Sequence, residues 1–268
     1  MHQHIDVNGL QLEVLHIAGG PAAKARAPLV FLHEGLGSVA MWRQWPAQLC
    51  ALCGREGWVY SRAGYGQSQT SMAYDELDSG RPRHPTSRLP PDYMHQEAWK
   101  VLPALLHALH VREPVLVGHS DGGSIALLHA SRFAVAACAV LAPHVIVEDM
   151  SVTAIAQARI AYETGQLRER LRPYHADVDS AFWQWNDVWL SDAFRAFDIR
   201  PDTRGIQAPV LALQGLDDPY GSMRQIDEIE LTAPQIRRVA LPQCGHQPHK
   251  EQTDLTNRLL VEFLADKP

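Results

Sequence analysis

No stretch of this chain reaches the roughly 18–20 consecutive apolar residues that a membrane-spanning helix requires, although 46% of its 268 residues are hydrophobic. Hydrophobicity spread over short runs belongs to a folded core, and the length suffices for a sizeable one, as a single α/β domain with an insertion or as two small domains. An excess of basic residues is missing as well. A formal net charge of −6 without any block of like charge argues against general nucleic-acid binding and against a charged tail. Cysteine is sparse: Cys50, Cys53, Cys138 and Cys244 make no disulfide framework for a chain of this size. Cys50 and Cys53 form a C-x-x-C, but toward the C-terminal end of an expected helix, where the dipole disfavours thiolates. No second C-x-x-C completes a zinc site, so buried structural thiols are expected. The fourteen histidines are scattered without H-E-x-x-H spacing, and no metal site is expected. Met1-His2-Gln3-His4-Ile5-Asp6 lacks the basic region and apolar core of a secretory leader, which makes a cytoplasmic location the expectation. No internal repeat or low-complexity tract is present.

What the chain does contain is Gly118-His119-Ser120-Asp121-Gly122-Gly123, a serine centred in G-x-S-x-G between an apolar run and a helix-like run. Pro114-Val115-Leu116-Val117 reads as a short buried strand, and Ser124 to Ala130 has helical character. A turn this sharp needs small residues on both sides of the serine, because Cβ atoms there would collide with neighbouring backbone. The helix that follows points its free N–H groups at the serine, favouring an oxyanion beside it. A five-residue pattern with two glycines also arises by chance, so the reading requires partners elsewhere. Downstream, the apolar run Pro209 to Gln214 ends in Gly215-Leu216-Asp217-Asp218, placing two carboxylates beyond a strand's carboxyl end. Leu241-Pro242-Gln243-Cys244-Gly245-His246 then sets a histidine in a glycine-containing loop. The chain order is therefore Ser, Asp, His, unlike that of the chymotrypsin-like and subtilisin-like proteases.

With these motifs the chain resembles the α/β-hydrolase-fold serine hydrolases over nearly its whole length. Leu29-Val30-Phe31-Leu32-His33-Glu34-Gly35-Leu36-Gly37 is similar to the strand and H-G-x-x-G-like oxyanion loop of that family, with Glu34 where glycine is usual. Tyr60-Ser61-Arg62-Ala63-Gly64-Tyr65-Gly66-Gln67-Ser68 is similar to its D-x-R-G-x-G-x-S turn, with Ser61 in place of aspartate. The resemblance implies Ser120 as nucleophile, His246 as general base and an aspartate to orient it. Asp217 and Asp218 compete for that last role, and the family's G-x-x-D spacing matches Asp218. It also implies an oxyanion hole from the N–H of Asp121 and one from Gly35 or Leu36. Glu34 has two readings, a carboxylate turned into the site toward substrate or one folded back over its own loop. Asp121, as the first residue of the helix, is expected to complement the dipole without touching substrate.

Strand-like segments near Leu10–Ile17, Pro28–His33, Gly57–Ser61, Pro114–His119, Val135–Ala142, Ala208–Gln214 and Ile236–Leu241 alternate with helical ones. The expected helices are Ala40–Cys53, Tyr93–Leu109, Gly122–Arg132, Gly221–Leu231 and Lys250–Leu264, with an irregular Pro- and Arg-rich excursion over Ser79–Asp92. The alternation predicts an α/β fold, a mostly parallel central sheet flanked by helices. Between Pro143 and Pro209 no strand is evident, and two helix-rich blocks, Glu148–Tyr174 and Asp179–Ala196, stand where the family inserts a helical cap. The expected division is a core of residues 1–143 and 206–268 with a cap of residues 144–205. Phe182, Trp183, Trp185, Trp189, Phe194 and Phe197 concentrate in the second block. Most should pack the cap itself, and Trp183, Trp185 and Trp189 are the candidates to face a ligand.

The expected function is serine-dependent hydrolysis of a small-molecule carboxylic ester through an acyl-enzyme, without metal or cofactor. The alternatives are a C–C or enol-lactone hydrolase of aromatic-compound degradation and, from a different class, a ligand-binding protein of this fold without turnover. Dehalogenase and epoxide hydrolase chemistry are disfavoured, because their nucleophilic aspartate would stand at position 120, where this chain has serine. The expected partner is a small ester or related acyl compound, not nucleic acid or membrane, and the oligomeric state is left open.

Overall fold

Leu29–Leu32, Val115–His119 and Ala137–Leu141 are buried at every position, a pattern that suits strands covered on both faces. They form the middle of an eight-stranded sheet in the computed structural model, which describes residues 1–20, 23, 25–70 and 89–267. The strands are β1 (His2–Val7), β2 (Leu10–Ile17), β3 (Leu29–Leu32), β4 (Gly57–Tyr60), β5 (Val115–His119), β6 (Ala137–Leu141), β7 (Val210–Gly215) and β8 (Ile236–Leu241), in the order β1-β2-β4-β3-β5-β6-β7-β8. β1 and β2 pair antiparallel, as do β2 and β4, while β4 through β8 run parallel. From β3 the chain steps outward to β4 and then returns to lay β5 on the other side of β3. The carboxyl ends of β3 and β5 therefore border the crevice where open α/β sheets bind ligands.

The helices are α1 (Trp45–Cys53), α2 (Tyr93–Gln96), α3 (Leu102–Ala108), α4 (Asp121–Ala130), α5 (Asp149–Glu163), α6 (Gln166–Leu171), α7 (Val178–Trp189), α8 (Arg200–Thr203), α9 (Arg224–Asp227), α10 (Pro248–Glu251) and α11 (Thr253–Leu264). Alternate strand residues feed two cores. Val30, Leu32 and Leu116 pack with Leu102, Leu105, Ile125 and the insertion's Phe182 and Trp189 on one face. Leu29, Phe31, Val115 and Val117 pack with Trp42, Trp45, Leu49 and Leu260 on the other. Each large side chain so buried contributes about 1.5–3 kcal/mol. All four cysteines are free and buried, and burial raises the Cys50 and Cys138 thiols to about 12, unreactive at neutral pH.

The connection from β6 to β7 carries α5 to α8 and no strand. Its aromatics mostly pack on one another: Tyr162 stacks on Phe182 at 3.6 Å, and Phe194 on Phe197 at 4.9 Å. Several sequence expectations differ in detail. The helix expected over Ala40–Cys53 is a 3₁₀ turn, a break at Arg43 (φ 53°) and then α1. The run Tyr93–Leu109 passes through a π-helical stretch at Glu97–Val101, directly before Pro103, which has no N–H to continue the ladder. β1 was not expected from its polar residues, yet Asn8 (φ 55°) and Gly9 (φ 84°) form the two-residue Asn-Gly hairpin turn that announces it. The region Gly221–Leu231 holds only the short α9. Residues 79–88 of the expected excursion lie outside the described residues.

A Cβ added to Gly118 would meet Gly122 O at 2.2 Å, and one on Gly122 would meet Leu32 O at 2.1 Å. Neither backbone atom can yield without moving α4 or β3. Gly118→Ala and Gly122→Ala should each lower unfolding free energy by about 1–3 kcal/mol or more, whereas Gly20→Ala, with nothing among the described residues within 4 Å, should leave the denaturation midpoint in place. Equal midpoints for all three variants would refute the crowding.

Candidate active site

β5 ends at His119 and α4 begins at Asp121, so the reversal is made by Ser120 alone, at φ 54° and ψ −121°. Backbone bonds fasten it: Ser120 N donates to Leu141 O (2.9 Å), and Gly123 N donates to Ser120 O (2.8 Å). Ser120 Oγ lies 2.9 Å from His246 Nε2, in the loop after β8, and His246 Nδ1 lies 2.8 Å from Asp218 Oδ2, in the loop after β7. A carboxylate only accepts, so Nδ1 carries the ring proton and Nε2 offers its lone pair to the serine hydroxyl. Asp218 also accepts from Gln214 Nε2 and from Tyr220 N, both at 2.8 Å. Burial alone would raise its pKa. The bond and charge of His246, with the Tyr220 N–H, outweigh that and hold it below the usual carboxylate range. Asp217 is exposed beside it.

The loop after β3 carries Gly35 and Leu36, and its carbonyls are tied down by ring nitrogens and a guanidinium. His33 Nδ1 donates to Glu34 O (2.6 Å) and its Nε2 accepts from Arg62 N (3.0 Å). His175 accepts from Gly66 N through Nδ1 (3.0 Å) and donates from Nε2 to Leu36 O (3.1 Å). Arg62 Nη2 adds a bond to Glu34 O at 3.1 Å. Burial pushes both histidines below the ordinary imidazole range, so each is a neutral tie with one donor and one acceptor. Asp121 opens α4, and its N–H is one of the four that a helix leaves without an internal partner. Trp185 covers the loop closely: a Cβ on Gly35 would lie 2.0 Å from Trp185 Nε1.

The remaining candidates separate. The Trp189 ring meets the His144 ring edge-on at 4.9 Å, and its Nε1 donates to Tyr93 Oη at 3.2 Å. Trp183 instead packs within the insertion, against Tyr162 and Phe182 and under Arg159. Asp121 does more than face a dipole. Its carboxylate is buried, accepts from Tyr93 Oη at 2.5 Å and lies 3.6 Å from Arg62 Nη1. Burial lifts its pKa above the ordinary range, with Arg62 and Tyr93 opposing. Arg62 lies within the Tyr60–Ser68 turn motif, whereas no local signal marks Tyr93, Gln214 or Tyr220. Glu34 folds back, its carboxylate lying over Gly37 and 3.5 Å from His119 Nδ1. His119 Nε2 in turn donates to the carbonyl of His246 at 2.7 Å. Ser61, at the aspartate position of the turn motif, accepts from Val39 N and donates to Glu13. Among the described residues no group of three or more His, Cys, Asp or Glu is placed to hold a metal, and no helix is long and apolar enough to cross a membrane.

A model of the alpha/beta hydrolase family matches residues 29–259. No curated protein matches the sequence. Solved structures that match include the enol-lactonase from Burkholderia xenovorans LB400, at 20% identity and TM-score 0.73, covering 98% of this chain and 100% of that one. Another is a hydrolase from Pseudomonas aeruginosa PA01, at 16% identity and TM-score 0.71, covering 98% of each chain. A third is the meta-cleavage product hydrolase from Pseudomonas fluorescens IP01, at 15% identity and TM-score 0.67, covering 98% of this chain and 97% of that one. At such identities they share the fold.

Burial would raise the Glu34 pKa, but His119, Lys250 and His249 outweigh it and hold the carboxyl well below its ordinary range. A carboxylate with a depressed folded-state pKa stabilises the fold above its unfolded pKa, and that contribution vanishes as pH falls through the folded one. Glu34→Gln should therefore cost about 1–3 kcal/mol at pH 7, and the gap to wild type should close as pH falls below the ordinary carboxylate range. Thermal melts across pH check this, and a gap that widens toward acid would reverse the sign.

Proposed function

Because the chain belongs to the alpha/beta hydrolase family, we propose that it is a serine hydrolase that cleaves small-molecule carboxylic esters through an acyl-enzyme. The observation that carries the reading is the unbroken run from Ser120 Oγ through both His246 nitrogens to Asp218, at 2.9 and 2.8 Å. His246 takes the serine proton as Oγ attacks the carbonyl carbon, then gives it to the leaving alkoxide. Water repeats the sequence on the acyl-enzyme and releases the acid. Asp218 keeps the proton on Nδ1 and stabilises the imidazolium that forms between the two transfers.

The tetrahedral oxyanion requires donors aimed where charge develops. The N–H of Asp121 and one from Gly35 or Leu36 are assigned here, since α4 begins at the nucleophile and the β3 loop is clamped beside it. Each such donor is worth about 10²–10³ in kcat. Trp185 and Trp189 supply an apolar wall over the crevice. No metal or cofactor takes part in this scheme. Enol-lactone or C–C hydrolysis in aromatic-compound degradation forms the second reading, since a hydrogen-bonded serine and histidine serve both and the structural neighbours include an enol-lactonase and a meta-cleavage product hydrolase. The helical insertion between β6 and β7 is assigned as a cap over this site.

Hydrolysis of p-nitrophenyl esters from acetate to octanoate should be measurable and should fall at least about 10⁴-fold in Ser120→Ala and His246→Ala. Asp218→Asn should lose about 10⁴-fold and Asp217→Asn less than about twofold. Turnover surviving in Ser120→Ala would remove the nucleophile assignment, and equal losses at the two aspartates would remove that of Asp218. A fluorophosphonate that labels Ser120 stoichiometrically in a protein turning over no ester or lactone would favour a ligand-binding role.

A further inference from the structure

Most buried histidines among the described residues are bonded at one ring nitrogen or at both. His33 and His175 each bond backbone at both, His119 holds His246 O, and His129 Nδ1 meets Ala98 O at 2.9 Å. His144, only 2% exposed and just beyond β6, is different. Its backbone is secured, N donating to Ser124 Oγ (2.9 Å) and O accepting from the same hydroxyl (2.6 Å), so the side chain is not needed for the turn. Its Nδ1 is sealed from solvent without a partner among the described residues. Neither does a described residue bond Nε2, which is the ring nitrogen that keeps contact with open space. His119 and His249 also have an unbonded Nδ1, but that of His119 lies 3.5 Å from the Glu34 carboxylate, and His249 is boxed in by the rings of Trp42, Trp45 and His119 at 5.0, 5.1 and 4.8 Å.

The ring of His144 stands among the aromatic and imidazole rings of the site. Its ring centre is 5.7 Å from that of His246 and 4.9 Å from that of Trp189. The ring thus stands beside the group that shuttles the proton, on the wall under the helical insertion. Burial, with the His246 charge adding, lowers its pKa to about 3, so it is neutral at any working pH and carries one ring proton. A sealed N–H without an acceptor costs more than a sealed lone pair, which places that proton on Nε2 as a donor. An imidazole held here for packing alone would do no more than a leucine, and its desolvation would be uncompensated.

We propose that His144 is a substrate-binding residue that donates from Nε2 to an oxygen on the leaving-group side of the substrate, two or three bonds beyond the scissile bond. This rests on the serine-hydrolase reading and narrows its substrate class. The preferred ester or lactone carries a second ether, carbonyl or hydroxyl oxygen near the alcohol oxygen and is not a plain alkyl ester. The leaving oxygen takes its proton from His246 Nε2, so the next atoms along the alcohol pass the neighbouring imidazole. A hydrocarbon there would leave the donor unpaired once water is displaced.

Butyl and 2-methoxyethyl esters of one acid test this, because they differ only in CH₂ against O at one chain position. Wild type should favour the methoxyethyl ester by about tenfold in kcat/KM. In His144→Phe the ratio should fall to about one whatever the absolute rates, and His144→Gln, which returns an N–H near the same place, should restore most of it. A wild-type ratio near one overturns the proposal. So does a His144→Phe variant that slows both esters together and keeps the ratio, which would assign the ring to His246 or to the attacking water. Calorimetric titration of Ser120→Ala with the same two esters needs no turnover. Tighter binding of the methoxyethyl ester there, lost on adding His144→Phe, supports the site, and equal affinities reject it. If wild type hydrolyses neither ester, the hydrolase reading fails separately and this titration still decides the role of His144.

Discussion

Ser120 is a non-glycine residue held at positive φ between a strand and a helix that admit no spacer. Backbone in such sparsely populated regions costs about 1–3 kcal/mol and persists only where the surroundings over-determine it. Here the surroundings are backbone atoms: Leu141 O accepts the serine N–H, and the carbonyls of Leu32 and Gly122 leave no room for a side chain at positions 122 and 118. The contact at Leu32 O sets the end of β3 against the start of α4. It thereby fixes where the loop bearing Gly35 and Leu36 leaves the sheet.

Around that turn the polar groups divide into two kinds. Neutral histidines act as short rigid struts, each with one donor and one acceptor, joining loops from different parts of the chain. Charged groups complete the set, with Arg62 between the Glu34 carbonyl and Asp121 and the Glu34 carboxylate beside the His119 ring. Buried pairs of this sort contribute little net stability over apolar substitutes, but breaking one leaves an uncompensated charge. Their effect is geometric, linking the β3 loop, the first residue of α4 and the His246 loop so that no one of them shifts alone.

Much of this was legible in the sequence. The buried parallel strands, the Ser-Asp-His order and the glycines at 118 and 122 follow from short apolar runs and a steric requirement, both local. What escaped is what the fold brings together from afar. Tyr93 reaches Asp121, and Gln214 and Tyr220 flank Asp218, through contacts to which no motif points. His144 lay within a segment read only for its helices. The Asn8-Gly9 turn was a local signal passed over because the residues before it are polar, as befits an edge strand. Asp121 was assigned to the dipole by its position, and only burial with Tyr93 and Arg62 reveals the rest of its role.

The hydrogen bond between Ser120 and His246 joins residues 126 positions apart, and the intervening chain includes β6, the helical insertion, β7 and β8. Closing that contact is among the most entropically demanding steps available to the chain. The serine hydroxyl therefore meets its imidazole only once the loop after β8 is in place, whereas the elbow around it needs only β3, β5, β6 and α4. A chain in which β8 has not yet docked holds the complete turn at Ser120 but no imidazole beside its hydroxyl, so the pair depends on the far end of the sheet.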